Sequence, residues 1–380
     1  MNKMSQQVTL IATSAMGLES LVADEVRNLG YDPVVENGKI TFNAPLSAIP
    51  RCNLWLRIAD RVKVVVGEGK VETFDELFEL TKSFPWENYI PEDGAFPVIG
   101  KSHKSKLFSV SDCQAIVKKA IVDRLKLKHG IAHRLPETGA TYKVEVALLK
   151  DIATLTIDSS GVGLHKRGYR VGQGEAPLKE TLAAALVKLT NWTADDELID
   201  PFCGSGTIPI EAALIGQNIA PGFNREFASE EWEFIPRAYW DDAFNEAEQL
   251  ANYDQQLHII GSDIDHRMIE ISEQNALEAG LSDLINWKQM QLKDLTVKSE
   301  NGYLIGNPPY GERIKDEAYV IHLYETLGDI MRQHESWSVY ILTSYKNFER
   351  VYGKKATKKR KLFNGFIETH YYQYFGKKVK

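Results

Sequence analysis

After Gly161, short apolar runs alternate with longer amphipathic ones. The order is a helix from Leu178 to Leu189, ELID ending at Asp200, a helix from Ile208, HIIGSD, a helix, INWKQMQLKDL, YLIG ending at Gly306, a helix and SVYILTSY. Strands alternating with helices predict a parallel sheet joined by right-handed crossovers. Before Gly161 the pattern is less regular. TLIATS reads as a strand, GLESLVADEVRNLG as a helix ended by Gly30, and PVVENGKITFN as a hairpin around Asn37-Gly38. LWLRIADRVKVVVGEGKV reads as a strand-rich stretch, and FDELFELTKSFPW as a helix stopped by Pro85. A helix capped near Ser111 and Asp112 runs to about Lys128, and TYKVEVALLKDIATLTIDSSG gives two strands joined around Lys150-Asp151. This half predicts an α+β arrangement, with a domain boundary near 160.

Length supports more than one core, since 380 residues exceed what a single core of ordinary size holds. The hydrophobic fraction of 43% and charged fraction of 26% are those of a soluble globular chain. No apolar run approaches the roughly 20 residues that span a bilayer, and Val8–Thr13 reads as a first strand rather than a leader. Cys52, Cys113 and Cys203 are too widely spaced for a disulfide framework or a zinc site, so no metal is expected and a cytoplasmic location is. The net charge of −7 hides segregation. Lys101–Arg134 carries nine Lys/Arg against two Asp/Glu, Gly353–Lys380 nine against one, and Arg225–Asp254 two against nine. Local fields of this kind steer a polyanion whatever the total charge.

Asp200-Pro201-Phe202-Cys203-Gly204-Ser205-Gly206-Thr207 places a glycine loop between a strand end and a helix start. Glycines let a ligand approach the backbone there, and the helix N-terminus points at it. A dinucleotide is disfavoured, because Pro209 stands where a third glycine would be and Asp200 would repel a pyrophosphate. A carboxylate at that strand end suits the ammonium of a methionine moiety instead. The next strand ends in Gly261-Ser262-Asp263-Ile264-Asp265, where a carboxylate can accept from both hydroxyls of a ribose. Asp263 is the preferred acceptor over Asp265. The interval from Gly206 to Asp263 is 57 residues against the usual ~20, implying an insertion over Gln217–Leu257 that contains Trp232 and Trp240. Asp294, ending the third strand, is placed to accept from an adenine amino group.

Asn307-Pro308-Pro309-Tyr310 follows the fourth strand. Exocyclic amines of bases are poor nucleophiles, because the nitrogen lone pair is delocalised into the ring. Two acceptors gripping the amine hydrogens let the nitrogen pyramidalise. The Asn307 amide oxygen and the Pro308 carbonyl can supply them, and two prolines hold that loop stiff. Tyr310 offers a ring on which an unstacked base can lie. The loop does not distinguish adenine from guanine.

The Asp200–Thr207 loop together with Asn307-Pro-Pro-Tyr-Gly-Glu-Arg313 resembles the class I amino-methyltransferases. More narrowly the whole chain resembles the THUMP-containing guanine-N2 methyltransferases of large-subunit ribosomal RNA, including Asp158-Ser-Ser-Gly-Val-Gly-Leu-His-Lys-Arg-Gly-Tyr-Arg170 and Ala176-Pro-Leu-Lys-Glu-Thr-Leu-Ala183. The resemblance implies a ferredoxin-like part (1–68), a THUMP RNA-binding domain (69–160) and a Rossmann-like catalytic domain (161–380). That last α/β domain would have a seven-stranded sheet whose final strand, ETHYYQYF after KLFNG, is antiparallel. It also implies S-adenosylmethionine as cofactor, with Lys179 and Thr181 bordering its methionine end and Ile264 and Asn307 beside it. The partner implied is ribosomal RNA, naked or in a pre-ribosomal particle. Lys101, Lys104, Lys106, Lys118, Lys119 and Arg124, with His165, Lys166 and Arg167, are expected on phosphates, and Glu312 and Arg313 at the base edge. An adenine-N6 enzyme on RNA or DNA is the alternative. Against DNA stand the 67 residues after Arg313, about what the remaining strands require. Against a small-molecule or protein-glutamine substrate stand the basic segments, and against a catalytically dead RNA-binding protein the intact Asp200, Gly204, Gly206, Asn307 and Tyr310.

Overall fold

The computed structural model describes residues 7–174, 177–310 and 317–377. The chain divides into two compact units. Residues up to Ser14, Val22–Leu164 and Glu226–Glu246 form the first, and Ala15–Leu21, His165–Arg225 and Ala247 onward form the second.

The N-terminal elements are β1 (Gln7–Thr13), α1 (Glu19–Asn28), β2 (Val34–Glu36), β3 (Lys39–Pro45), α2 (Ala48–Trp55), β4 (Arg61–Lys70), α3 (Phe74–Ser83), β5 (Val98–His103), α4 (Val110–His129), β6 (Val144–Leu149) and β7 (Ile152–Asp158). Their strands make one sheet in the order β2-β3-β1-β4-β7-β6-β5, so the two expected N-terminal parts share it. The seam is β4, which pairs with β1 over Arg61–Val64 and with β7 over Lys63–Lys70. A register shift between Val65 and Gly67 bends the strand. There a Cβ on Gly67 would lie 2.3 Å from the Phe84 ring, so only glycine fits. The strand-rich reading holds from Arg61, but Leu54 and Trp55 end a helix. Pro50 is compatible with α2 because it sits in the first turn, where a backbone N–H has no helical partner to lose.

Residues 226–246, expected in the catalytic part, pack in the first unit. They lie within the insertion expected over Gln217–Leu257, and their aromatic rings are the anchor. Trp232 stacks on Tyr142 with ring centroids 5.2 Å apart and donates its Nε1–H to the Thr141 carbonyl at 3.0 Å. Phe227 stacks on Trp240, and the Ser229 hydroxyl donates to the Ser159 carbonyl at 2.8 Å. The Arg51 guanidinium forks onto Glu246 at 2.6 and 2.8 Å.

Beyond Leu164 the elements are α5 (Glu180–Lys188), β8 (Glu197–Asp200), α6 (Thr207–Gly216), α7 (Arg237–Leu250), β9 (His258–Asp263), α8 (His266–Glu278), β10 (Ile285–Gln289), β11 (Tyr303–Gly306), α9 (Glu317–Arg332), β12 (Ser338–Thr343), α10 (Phe348–Tyr352), β13 (Lys358–Asn364) and β14 (Ile367–Tyr374). Most of α7 belongs to the first unit. The second unit's sheet has the order β10-β9-β8-β11-β12-β14-β13, with β14 antiparallel to both neighbours. The seven strands and the antiparallel last one agree with expectation. The order reverses at β8, with β9 on one side and β11 on the other, which opens a crevice at the carboxyl ends of these strands. One wall is α9, which buries Val320, Tyr324, Leu327 and Met331 in a core shared with Ile199, Leu304 and Ile341 of the sheet. Among the described residues no helix is long and apolar enough to cross a membrane.

Trp232 is 1% exposed, so Trp232→Ala removes a ring from a closed core. The expected loss is about 3–5 kcal/mol of first-unit stability, with Trp232→Phe losing less. Urea unfolding followed by hydrogen exchange of β6 and β7 amides is the measurement; unchanged protection would remove the 226–246 segment from the unit's core.

Candidate active site

The loop from β8 to α6 is held from several sides. Gly204 takes a φ of 51° and Gly206 a φ of 83°, both left-handed. A Cβ on Gly206 would lie 2.7 Å from the Trp287 ring, whereas nothing lies within 4 Å of one on Gly204. Gly206 therefore serves close packing, and Gly204 leaves its backbone open to a ligand. The Gly204 N–H donates to Asp263 Oδ2 at 3.0 Å, and the Ser272 hydroxyl donates to the Gly204 carbonyl at 2.7 Å. Asn275 Nδ2 donates to the Ser205 carbonyl at 2.9 Å. Arg170 donates to the Ser205 and Thr207 hydroxyls at 2.9 Å each, while its Nε–H is tied to Glu180 at 2.7 Å. Sequence reasoning placed Arg170 at the end of the Asp158–Arg170 segment without a role of its own, and no local signal announces this clamp.

Over the loop lies a cavity of ≈ 430 Å³. Of the residues expected at a cofactor, Pro201, Phe202, Gly204, Asp263, Ile264 and Asn307 line it. Asp200, Ser205, Gly206, Thr207, Lys179, Thr181 and Asp294 are not among the lining residues. Asp200, Ser205, Thr207 and Thr181 are buried, and Lys179 and Asp294 are exposed. Near the end of β10 it is Gln291, Leu292 and Lys293 that reach the cavity. The reading also missed one face of α9: Tyr319, His322, Leu323 and Thr326 line the cavity. Their spacing at i, i+3, i+4 and i+7 is a helical stripe legible in the sequence.

The carboxylates differ in role. Asp265 caps α8 by accepting from the Arg267 N–H at 3.0 Å, pairs with the Arg267 side chain at 2.8 Å, and also lines the cavity. Asp263 accepts from the N–H groups of Gly204 and Asp265 at 3.0 and 2.9 Å and still faces the cavity. Its pKa is raised, chiefly by burial. Asp200 is 1% exposed and accepts from the Phe202 N–H at 3.0 Å. Burial pushes its carboxyl up to about 8, against the Phe202 hydrogen bond and with help from the Asp263 charge.

In the loop after β11, the Asn307 Oδ1 atom is buried and has no hydrogen-bond partner among the described residues. Such an atom costs roughly 1–3 kcal/mol and marks a place where a donor belongs. Pro308 is buried, and the Pro309 carbonyl accepts from the Tyr324 hydroxyl at 3.3 Å. Tyr310 departs from expectation. Its ring is 2% exposed and its hydroxyl accepts from Asn364 Nδ2 at 2.9 Å, so it braces the loop rather than presenting a stacking face. Arg313 lies outside the described residues.

The basic residues are less available than their charges suggest. Arg167 is 3% exposed, its guanidinium paired with Glu211 at 3.2 Å, which takes it off the phosphate-contacting surface. Arg124 forks onto Glu87 at 2.8 and 2.5 Å, and Lys118 pairs with Glu137 at 2.7 Å while lying over the Phe96 ring. Lys101 and Lys106 are exposed partners of Glu145 and Glu72. Lys104, Lys119 and Lys166 are exposed, and His165 is half-buried. Exposed pairs are weak and exchange readily for phosphate, whereas the half-buried Arg124 fork does not.

Comparison with known proteins places the chain among methyltransferases. An RMKL-like methyltransferase domain matches residues 167–373, an RlmL ferredoxin-like domain residues 9–63 and a THUMP domain residues 71–158. A Bacillus subtilis (strain 168) protein provisionally named RNA methyltransferase YpsC is 62% identical, over 98% of this chain and 97% of its own length. Ribosomal RNA large subunit methyltransferase K/L of Shewanella sp. (strain W3-18-1) is 33% identical over 95% of this chain, which spans about half of it (52%). A Listeria monocytogenes protein described as a predicted N6-adenine-specific DNA methylase superposes with a TM-score of 0.94 at 62% identity, covering 98% of this chain and 97% of its own. SMU.472, solved complexed with SAH, superposes at 0.95 with 48% identity, covering 99% and 100%. With one family model covering more than half the chain and a relative matching it end to end, this chain belongs to the RMKL-like methyltransferase family.

Proposed function

We propose that this chain transfers a methyl group from S-adenosylmethionine to the exocyclic N2 of a guanine in large-subunit ribosomal RNA. The observation that carries the reading is the unpartnered, buried Asn307 oxygen at the edge of the cavity. It is an acceptor lacking a donor, and the amine of a base supplies one. When bound, S-adenosylmethionine supplies an electrophilic methyl group on a sulfonium. The cavity suits its adenosyl part: Asp263 can accept from the ribose hydroxyls, Ile264, Met290, Leu292 and Leu323 give apolar walls, and Gln291 offers a polar edge. Asp200, buried behind the loop and not itself lining the cavity, acts on the ammonium end through its field. Asn307 and the Pro308 carbonyl hold the two amine hydrogens, and the stiff diproline and the Asn364–Tyr310 bond keep those acceptors fixed before the base arrives. Ribosomal RNA is supported by the THUMP match and the name of the K/L relative. Exposed Lys101, Lys104, Lys106 and Lys119, with Phe108 at 83% exposure beside them, form the docking face.

A second reading, methylation of an adenine N6, is favoured by the name of the Listeria relative and by a loop that grips either amine. Nucleoside mass spectrometry of ribosomal RNA from cells with and without the protein separates the two. Loss of N2-methylguanine is expected; loss of N6-methyladenine would replace the substrate, and unchanged RNA would redirect the search to DNA.

Asn307→Ala deletes one acceptor, so single-turnover methyl transfer is expected to slow by about 10²–10³-fold while the affinity for S-adenosylmethionine holds. Equal losses in both would make Asn307 a cofactor residue only.

A raised Asp200 pKa has a signed consequence. Placing an ammonium beside it favours the ionised form, so binding releases a proton, and affinity tightens as pH rises towards about 8, above which the ligand's own ammonium, with a pKa of about 8, titrates and affinity falls. Calorimetry between pH 6 and 9 should show up to about a tenfold gain per pH unit below the midpoint. Asp200→Asn is expected to flatten that profile. An affinity of the wild type that does not change over this range would separate Asp200 from the ammonium.

A further inference from the structure

Apart from Asn364, the basic C-terminal stretch has no part in the site described so far. It forms the β13–β14 hairpin, and β13 is the edge strand of the second unit's sheet. Lys358 and Lys359 on β13 and Lys354 and Lys355 just before it are exposed. Lysines on an edge strand discourage pairing with another chain, and that alone would account for them. It does not account for Phe366. The hairpin turns through two residues between Asn364 and Ile367, with Gly365 at a φ of 63°. Phe366, the second of them, is 106% exposed, with no core to serve.

Position gives the aromatic tip its meaning. Asn364, two residues before Phe366, donates its side-chain amide to the Tyr310 hydroxyl at 2.9 Å. The end of the hairpin is thereby fastened to the loop that carries Asn307. Lys358 and Lys359 are consecutive on β13 and so face opposite sides of the hairpin, with Lys359 over the Tyr372 ring. Cations flanking an exposed ring are a combination that holds unpaired nucleic acid: cations follow the phosphates and the ring stacks on a base irrespective of its identity. Lys359 also has Glu349 at 3.8 Å, an exposed and weak pair that a phosphate can displace.

We infer that the β13–β14 hairpin is an RNA-docking surface, in which Lys354, Lys355, Lys358 and Lys359 hold phosphates and Phe366 stacks on a nucleotide flanking the target base. The inference rests on the RNA reading above and adds to it the element that grips the unstacked strand beside the active site. A base leaving its stack leaves its neighbours without a partner face, and an exposed ring replaces one of those faces.

The test uses the full-length protein and unmodified large-subunit ribosomal RNA transcribed in vitro. Replacing the four lysines by serine should raise the KM for RNA by about tenfold or more, and make its salt dependence shallower by about 3 in log–log slope. Phe366→Ala should raise KM on the order of tenfold, Phe366→Tyr should restore it and Phe366→Leu should not. In all four variants kcat at saturating RNA and the calorimetric affinity for S-adenosylmethionine should stay at wild-type values. Wild-type KM in the variants overturns the hairpin as an RNA surface, and Leu serving as well as Phe overturns stacking by Phe366. A wild-type protein that neither binds nor methylates the RNA overturns the RNA reading itself, whereas an active wild type with indifferent variants strikes the hairpin alone.

Discussion

The glycine loop after β8 has to stand still with its backbone exposed, and the surrounding structure is arranged to keep it so. Asn275 carries much of this constraint. Its amide oxygen accepts from the N–H groups of Val171 and Gly172 at 2.9 and 3.2 Å, and its amide nitrogen donates to the carbonyls of Gly172 and Ser205 at 3.0 and 2.9 Å. All four bonding positions of the side chain are used, so the buried amide leaves nothing unsatisfied. It stitches the segment entering the second unit to the loop, and Arg170 does the same from the other side through Ser205 and Thr207. A loop fixed in this way meets its ligand without first losing conformational freedom.

Two carboxylates with raised pKa values stand at the strand ends that border the crevice. Asp200 and Asp263 end neighbouring strands, and each is pushed towards its neutral form by burial and by a nearby carboxylate. Nothing cationic compensates them within the loop, and such perturbed groups gather where function requires them. By contrast Arg167, Tyr169 and Glu211 form a closed, buried group in which the guanidinium and the phenol both donate to the carboxylate. A pair of that kind contributes little net stability, yet it fixes which way a loop enters a domain, because leaving either charge alone in the interior is costly.

Much of this was legible before any coordinates. The alternation of apolar and amphipathic runs after Gly161 marked each parallel strand, and the glycine loop and Asn307-Pro308-Pro309-Tyr310 stood directly after strands, where crevices open. What escaped was whatever depends on partners distant in sequence. Arg167 looked like a surface cation because its partner Glu211 lies 44 residues away. Tyr310 looked like an exposed ring because its anchor, Asn364, is 54 residues further on. The α2 helix hid behind Pro50, a residue that argues against a helix everywhere except its first turn. The acidic segment around Trp232 was read by its charge, while its placement is decided by a few rings.

That segment also sets a timetable for synthesis. The first unit cannot close when Leu164 leaves the ribosome, because the rings that stack on Tyr142 and cover Ser159 belong to residues 226–246. The 82 residues between Leu164 and Glu246 take about 4–16 s to make at roughly 5–20 residues per second. Through that interval the nascent sheet shows an apolar face around Tyr142, and β8 and α6 are already being made beside it. The N-terminal half therefore reaches its native core only after part of the catalytic half exists, so a chaperone that shields aromatic surface has its longest opportunity in the middle of translation, not at the end.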